Sequence, residues 1–142
     1  MPQLPDSEYG RLLTFRTQLR RFHRWSRDQA AAVGLTPAQH QLLLAIRGHD
    51  DGRTDGHGPT IGDIADYLLV RHHSAGELVD RVAELGLVAR EGDADDHRMV
   101  HVVLTTEGHA RIGALTAIHF DELRRLGPSL EALVAGLPER NG

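Results

Sequence analysis

The chain has 142 residues and a formal net charge of −4 at pH 7, and it contains no cysteine. This length suits one compact domain, and the lack of cysteine excludes disulfides, thiolate metal sites and thiol-based oxidant sensing. We expect a cytoplasmic protein that does not contact a membrane, because no apolar run approaches the roughly 20 residues that span a bilayer and the N-terminus lacks the layout of a secretory signal.

Two helices are predicted first, over residues 7–33 and 36–47. The first begins near Asp6 or Ser7, and its apolar side chains recur at steps of three or four residues or their multiples, which places them on one face: Leu12, Phe15, Leu19, Phe22 and Val33. The second begins at a capping box of Thr36 and Gln39. A loop with four Gly and three Asp follows over residues 48–59.

Two short helices are predicted next, over residues 61–69 and 74–85. Thr60 starts the first of them, and Ser74 with Glu77 forms an S-x-x-E pattern that caps the second. Two short helices joined by a tight turn are a helix-turn-helix candidate. A β-hairpin over residues 87–104, with a polar tip, then has the position of a wing.

A C-terminal helical region is predicted over residues 107–140. Gly127-Pro128 is expected to break it, which leaves a final short helix before Pro138. The apolar stripes of this region and of residues 7–33 are larger than one small lobe covers, which favours a partner subunit.

The predicted fold is therefore mainly α with a small β-hairpin wing, in the α+β class. Residues 1–142 form one domain. Residues 36–105 are predicted to form a winged helix-turn-helix lobe, and the flanking helices at residues 7–33 and 107–140 are predicted to form a dimer.

Four short segments in this order resemble the MarR (multiple antibiotic resistance regulator) family: LVDR at 78–81, LGLVAR at 85–90, DHR at 96–98, and VVLT at 102–105 followed by Gly108. The resemblance covers nearly the whole chain. It implies a triangular homodimer whose two lobes bind a pseudo-palindromic operator in double-stranded DNA. It also implies a transcriptional regulator, most simply a ligand-responsive repressor, without enzymatic activity.

The predicted DNA-binding residues lie in the second helix of the motif and in the wing. A recognition helix presents its N-terminal residues to base edges in the major groove, and the complete set is Arg71, His72, His73, Ser74, Ala75, Arg81, Arg90, Asp96 and Arg98. The resemblance implies that Arg98 enters the minor groove and that Asp96 orients it. The alternatives are a capping role alone for Ser74, an ion pair with Glu77 or Glu84 for Arg81, and a simple hairpin ion pair for Arg98.

The charge of the lobe favours a second hypothesis. Between Thr60 and Thr105 there are four Arg and nine Asp or Glu, a formal −5, whereas residues 1–35 hold six Arg and three acids, a formal +3. Few phosphate contacts predict modest DNA affinity, so a winged-helix interaction module with weak or lost DNA binding is the alternative. Protonation of His72, His73, His97 and His101 would add positive charge.

The family resemblance also implies a small aromatic or carboxylic effector, bound between the dimer helices and the lobe. Its predicted pocket residues are Phe22, His23, Trp25, His40 and Leu43, with core packing as the alternative for Phe22 and Leu43.

No cofactor is predicted. His49 and His57 lie in the Asp-rich loop, which could hold a divalent ion, but the sequence has no metal-binding motif. No nucleophile–base pair is evident, which argues against an enzyme.

Overall fold

The computed structural model describes residues 3–49, 57–93, 95–96 and 98–138. It contains five helices and two strands in this part of the chain, in the following order: α1 (Asp6–Ala32), α2 (Pro37–His49), α3 (Ile61–Leu68), α4 (His72–Glu84), β1 (Val88–Gly92), β2 (Val100–Leu104) and α5 (Thr106–Ala135). The strands form an antiparallel hairpin whose register runs from Val88 opposite Leu104 to Gly92 opposite Val100. The predicted fold class, mainly helical with a hairpin wing, is confirmed.

One hydrophobic core joins α2, α3, α4, the hairpin and the first half of α5. Its large, fully buried side chains come from every one of these elements: Leu42, Leu43, Ile64, Val79, Val82, Leu87, Val102, Ile112 and Leu115. Burial of such side chains contributes roughly 1.5–3 kcal/mol each relative to exposure. The core therefore fixes the helix-turn-helix and the base of the hairpin as one unit.

The starts of α2 and α3 are capped as the sequence predicts. Thr60 Oγ1 accepts from the backbone N–H of Asp63 at 3.1 Å, and Asp63 Oδ2 accepts from the N–H of Thr60 at 3.0 Å. Thr36 and Gln39 make the same reciprocal pair. Each pair satisfies two N–H groups that would otherwise have no partner at a helix N-terminus.

The start of α5 is held against β1 by a close backbone approach. Thr105 Oγ1 accepts from the N–H of Gly108 at 3.1 Å and donates to the carbonyl of Gly86 at 2.7 Å. A Cβ built on Gly108 would lie 2.1 Å from the carbonyl oxygen of Leu87. Only glycine fits at this position.

The predicted start of α4 at Ser74 is wrong. The helix begins at His72 after Arg71, which has extended backbone angles and no side-chain cap, and Ser74 lies in the first turn. The backbone N–H of Ala75 already donates to the carbonyl of Arg71 at 3.0 Å. Because the N–H groups of an exposed first turn can bond to water, the helix extends without a capping side chain.

The predicted break at Gly127-Pro128 is also wrong, since α5 continues through Pro128 to Ala135. Proline removes one helical hydrogen bond. Beyond it, however, Ser129 Oγ accepts from Gln18 Nε2 of α1 at 2.8 Å, and the last turns of α5 line an apolar groove together with α1. Packing against α1 thus holds the C-terminal turns in the same helix.

Both long helices expose apolar side chains. Leu12 and Leu13 of α1 are 58% and 63% exposed, and Val134 of α5 is 61% exposed. None of the described helices combines the length and the apolar composition that a membrane crossing requires. The lobe therefore leaves these apolar faces of α1 and α5 exposed.

Candidate nucleic-acid interface

A cleft of about 560 Å³ lies between the start of α3, the start of α4 and the hairpin. Its lining includes three basic side chains that come from three different elements: His72 of α4, Arg90 of β1 and Arg98 of the hairpin. Thr60, Ile61 and Gly62, at the start of α3, also line it. The fold thus brings together the predicted recognition-helix and wing residues that lie 26 positions apart at most along the chain.

The first turn of α4 presents most of the predicted contact residues to solvent. Arg71, His72, His73 and Ser74 are all exposed. Ala75 is fully buried in the core, so it cannot contact DNA and its assignment as a contact residue is corrected. Its spacing to Val79 and Val82, four and seven residues on, is the core-facing period of a helix and was the signal for this burial.

Carboxylates of α4 engage two of the predicted cations. His73 Nε2 lies 3.0 Å from Glu77 Oε1, one helical turn away, and both side chains are more than half exposed. Arg90 Nη1 donates to Asp80 Oδ1 at 2.5 Å, which ties the base of the hairpin to α4. Arg81 is exposed and forms no ion pair with Glu77 or Glu84, so the surface-pair alternative does not hold for it.

Arg98 is almost fully exposed, with 91% of its side chain accessible. Asp96 Oδ1 accepts from its backbone N–H at 3.0 Å and from its Nε at 3.2 Å. The carboxylate therefore aligns both the backbone and the guanidinium of Arg98, while the side chain stays accessible to another acceptor. His97, between them, lies outside the described residues.

A second cavity of about 540 Å³ lies between α1 and α2. It is rich in cationic side chains and is lined by Arg20, His23, Arg24, Ser26, Arg27, Pro37, His40 and Gln41. Of the predicted pocket residues, His23 and His40 are in this lining. Leu43 is not, because it is fully buried in the core, and its assignment to the pocket is corrected.

Phe22 and Trp25 belong to an aromatic cluster beside this cavity. Both rings contact His119 of α5, at centroid distances of 6.0 and 4.9 Å, and His40 contacts the same ring at 4.9 Å. His119 thus joins α1, α2 and α5. No local pattern in the sequence indicates this contact, because His119 is far from the other members along the chain.

His119 also forms a hydrogen bond with a serine. The sequence alone does not reveal this pair of a hydroxyl and a base, because the two residues are far apart along the chain. His119 Nδ1 bonds to the carbonyl of Leu115 at 2.7 Å, so Nδ1 carries the proton, and Nε2 lies 2.6 Å from Ser26 Oγ, which donates to it. Ser26 is only 8% exposed. The pair is held by a helix carbonyl and by ring packing, and these contacts indicate a structural link between α1 and α5.

The ionisation of His40 is affected by this packing. Burial, and to a lesser extent the positive charge that His119 would carry if protonated, lower the pKa of His40 below its ordinary value of 6.5. Only 4% of the residue is exposed. His40 is therefore held in its neutral form at neutral pH, when its ring can both donate and accept.

Metal binding has no support among the described residues, where no group of three His, Cys, Asp or Glu is arranged to hold an ion. The predicted loop alternative rests on Asp50, Asp51 and Asp55, which lie outside the described residues.

Comparison with known proteins identifies a family and a set of similar folds. The model of the MarR family matches residues 33–99, which include the helix-turn-helix and much of the hairpin. The sequence has no significant match among curated proteins.

Three solved structures illustrate the similarity. A point mutant of MepR from Staphylococcus aureus, bound to an oligodeoxyribonucleotide, is 26% identical, with 96% of this chain and 87% of that chain covered and a TM-score of 0.66. AbsC, a MarR family transcriptional regulator from Streptomyces coelicolor, is 21% identical, with 92% and 84% covered and a TM-score of 0.71. YusO from Bacillus subtilis is 20% identical, with 92% of each chain covered and a TM-score of 0.66. The predicted resemblance to the MarR family is confirmed.

Proposed function

Because the chain is a winged-helix protein of the MarR type, we propose that it is a sequence-specific DNA-binding transcriptional regulator. It acts as a homodimer and a ligand-responsive repressor. The observation that carries the proposal is the cleft in which His72, Arg90 and Arg98 converge from α4, β1 and the hairpin. This arrangement matches the two requirements of winged-helix binding, a helix for the major groove and a basic hairpin for the minor groove.

The similar solved structures support a DNA partner. The MepR mutant is bound to an oligodeoxyribonucleotide, and a second MepR structure, 27% identical with a TM-score of 0.63, is a DNA complex. In the proposed complex, the exposed first turn of α4 meets base edges and phosphates. Arg98, aligned by Asp96, enters the minor groove, where negative potential is concentrated in narrow A·T stretches.

Homodimerisation is supported by the apolar faces of α1 and α5. A groove of about 270 Å³ between the start of α1 and the end of α5 is lined mostly by apolar side chains, among them Leu12, Phe15, Val134 and Leu137. Contiguous apolar surface of this kind marks an interaction site on a protein. A second copy would present the same surface, which a two-fold axis makes self-complementary.

An effector site is proposed in the cavity between α1 and α2. Its three arginines and His23 favour a small carboxylate, and the neighbouring aromatic cluster favours an aromatic ring. His40 lines the cavity and contacts His119 of α5, so an occupant would act on the joint between the dimer helices and the lobe. A shift in the spacing of the two lobes would then change operator affinity.

An interaction module without DNA binding is the second candidate, favoured by the carboxylates of Glu77 and Asp80 that engage His73 and Arg90. Selection from a pool of random duplexes at low salt, followed by fluorescence anisotropy at pH 6 and 7.5, separates the two. A regulator enriches an inverted repeat whose half-sites lie about one helical turn apart. Enrichment of no motif, with no binding at either pH, would favour the module.

A further inference from the structure

Asp93 organises the tip of the hairpin through its carboxylate and its backbone. Its Oδ1 accepts from the backbone N–H groups of Asp95 at 2.8 Å and Asp96 at 3.3 Å. Its own N–H donates to the carbonyl of Met99 at 3.0 Å, across the hairpin. The position of Asp96, and with it the alignment of Arg98, therefore depends on Asp93.

His101 of β2 connects Asp93 to the body of the lobe. The residue is only 8% exposed. Its Nε2 lies 3.2 Å from Asp93 Oδ2, and its Nδ1 lies 2.7 Å from the carbonyl oxygen of Gly58, in the segment that leads into α3. Gly58 is firmly placed, since a Cβ there would lie 2.1 Å from the carbonyl oxygen of Val102.

Both ring nitrogens of His101 thus face acceptors, one a carboxylate and the other a carbonyl. A neutral imidazole donates from one nitrogen only, whereas an imidazolium donates from both. Both bonds therefore require the protonated ring, and the Asp93 carboxylate supplies the balancing negative charge. The backbone N–H of Asp95, and next the His101 side chain, hold the pKa of Asp93 below its ordinary value of 3.8, which keeps the carboxylate ionised at neutral pH.

Among the described residues, ionisable groups approach His101 from the hairpin tip and from the segment before α3. Asp93, with Asp95 and Asp96 beyond it, faces the ring from the hairpin tip and favours its cationic form. His57, from the segment before α3, stacks on the ring with centroids 4.8 Å apart, and a positive charge on it would oppose that form. The hairpin carboxylates and a charged His57 would therefore act on the protonation of His101 in opposite directions.

We propose that His101 and Asp93 are positioning residues for DNA binding, because the protonated His101 ties the wing to the body of the lobe and so fixes Asp96 and Arg98 above the cleft. Loss of the proton frees either Asp93 or Gly58, and the wing then has to be ordered again when DNA binds. This inference rests on the DNA-binding role proposed above.

Two variants separate this role from simple packing. His101→Phe keeps an aromatic ring but removes both donors. Asp93→Asn keeps an acceptor for the N–H groups of Asp95 and Asp96, and its amide can donate to the Nε2 of a neutral His101. The wild type therefore holds the wing best with His101 protonated, whereas D93N holds it best with His101 neutral.

The first measurement is hydrogen exchange of the wing amides of Met99 and Val102 in the free protein from pH 5.5 to 8.5, corrected for intrinsic exchange. We expect wild-type protection to fall about fivefold to tenfold as the pH rises, which is the effect of one hydrogen bond. Protection in H101F should be low throughout, and in D93N it should rise with pH. Circular dichroism checks that each variant is folded. Wild-type protection in H101F, or a wild-type pH profile in D93N, would overturn the proposal.

The second measurement is DNA affinity of the same proteins over the same pH range. H101F serves as the reference at each pH, because it retains every other ionisable group of the chain. The wild type should bind about fivefold to tenfold more tightly than H101F at pH 5.5, and this advantage should shrink as the pH rises. Absence of any wild-type binding would contradict the DNA-binding role itself. Tight wild-type binding with an unchanged affinity in H101F would contradict only the role of His101.

Discussion

Ser26 of α1 donates a hydrogen bond of 2.6 Å to Nε2 of His119 in α5, directly beside the ring of His40 in α2. This contact joins the two long helices to the lobe at one point. The direction of this hydrogen bond is fixed, because Nδ1 of His119 donates to the carbonyl of Leu115 and leaves Nε2 as the acceptor. A ligand between α1 and α2 would meet Ser26 and His40 together, so this joint connects the proposed effector site to the lobe.

Replacing Ser26 by alanine should destabilise the fold by about 1 kcal/mol, because it removes one hydrogen bond and leaves a part-buried acceptor without it. Chemical denaturation measures the loss. Ser7→Ala, in the exposed first turn of α1, is the matched control and should have a much smaller effect. Equal free energies of unfolding for S26A and the wild type would show that the contact does not stabilise the joint.

Stability should decrease as the pH falls below about 6.5, in part because of His40. Its lowered pKa means that the unfolded chain takes up a proton at a higher pH than the folded chain. The stabilising contribution is therefore complete above the ordinary value of 6.5 and is lost as the pH falls toward the folded-state pKa. Denaturation between pH 7.5 and 5 should show a shallower decrease for His40→Gln than for the wild type, while exposed His109→Gln keeps the wild-type slope. A full slope in H40Q would refute this assignment.

Two glycines of α5 should respond to the same substitution with opposite sign. Gly108→Ala places a methyl group 2.1 Å from the carbonyl oxygen of Leu87, whereas a Cβ on Gly113 has no atom within 4 Å. We expect G108A to lower the free energy of unfolding by roughly 1–3 kcal/mol through overpacking. We expect G113A to raise it by up to about 1 kcal/mol through helix propensity. Thermal unfolding of both variants tests this, and a G108A protein as stable as G113A would rule out the close approach.

Leu69 ends α3 in the left-handed region, with φ of 56°, and its side chain is 91% exposed. This conformation costs roughly 1–2 kcal/mol for a side chain that gains no burial in return, and asparagine tolerates it better. Leu69→Asn should therefore raise the free energy of unfolding by about 1 kcal/mol. Val70→Asn, at the next position with an ordinary φ, should not. If L69N were less stable than the wild type, the left-handed conformation of Leu69 would not be a source of strain.

Local signals in the sequence account for most of the elements. The capping boxes at Thr36 and Thr60 act within four residues, and the valine-rich run of the second hairpin strand is equally local, so these predictions are accurate. The start of α4 differs because the S-x-x-E pattern at Ser74 lies inside a helix whose exposed first turn needs no side-chain cap. Instead of closing a capping box, Glu77 pairs with His73.

The errors and omissions come from contacts between distant residues. The helix continues through Pro128 because Ser129 bonds to Gln18, 111 positions earlier, and His119 meets Ser26 across 93 positions. Neither contact follows from periodicity or motif. Similarly, His101 is a single histidine in the valine-rich second strand, and only the fold brings it between Gly58 and Asp93.

The most direct test of the proposed DNA-binding surface is the affinity of Arg98→Ala for a selected duplex, measured by anisotropy over a range of salt concentrations. Arg124→Ala, an exposed arginine of α5 paired with Asp121, is the matched control for loss of one positive charge. We predict about tenfold weaker binding for R98A, with a salt slope reduced by about one, and near wild-type behaviour for R124A. Wild-type affinity and salt dependence in R98A would contradict the account.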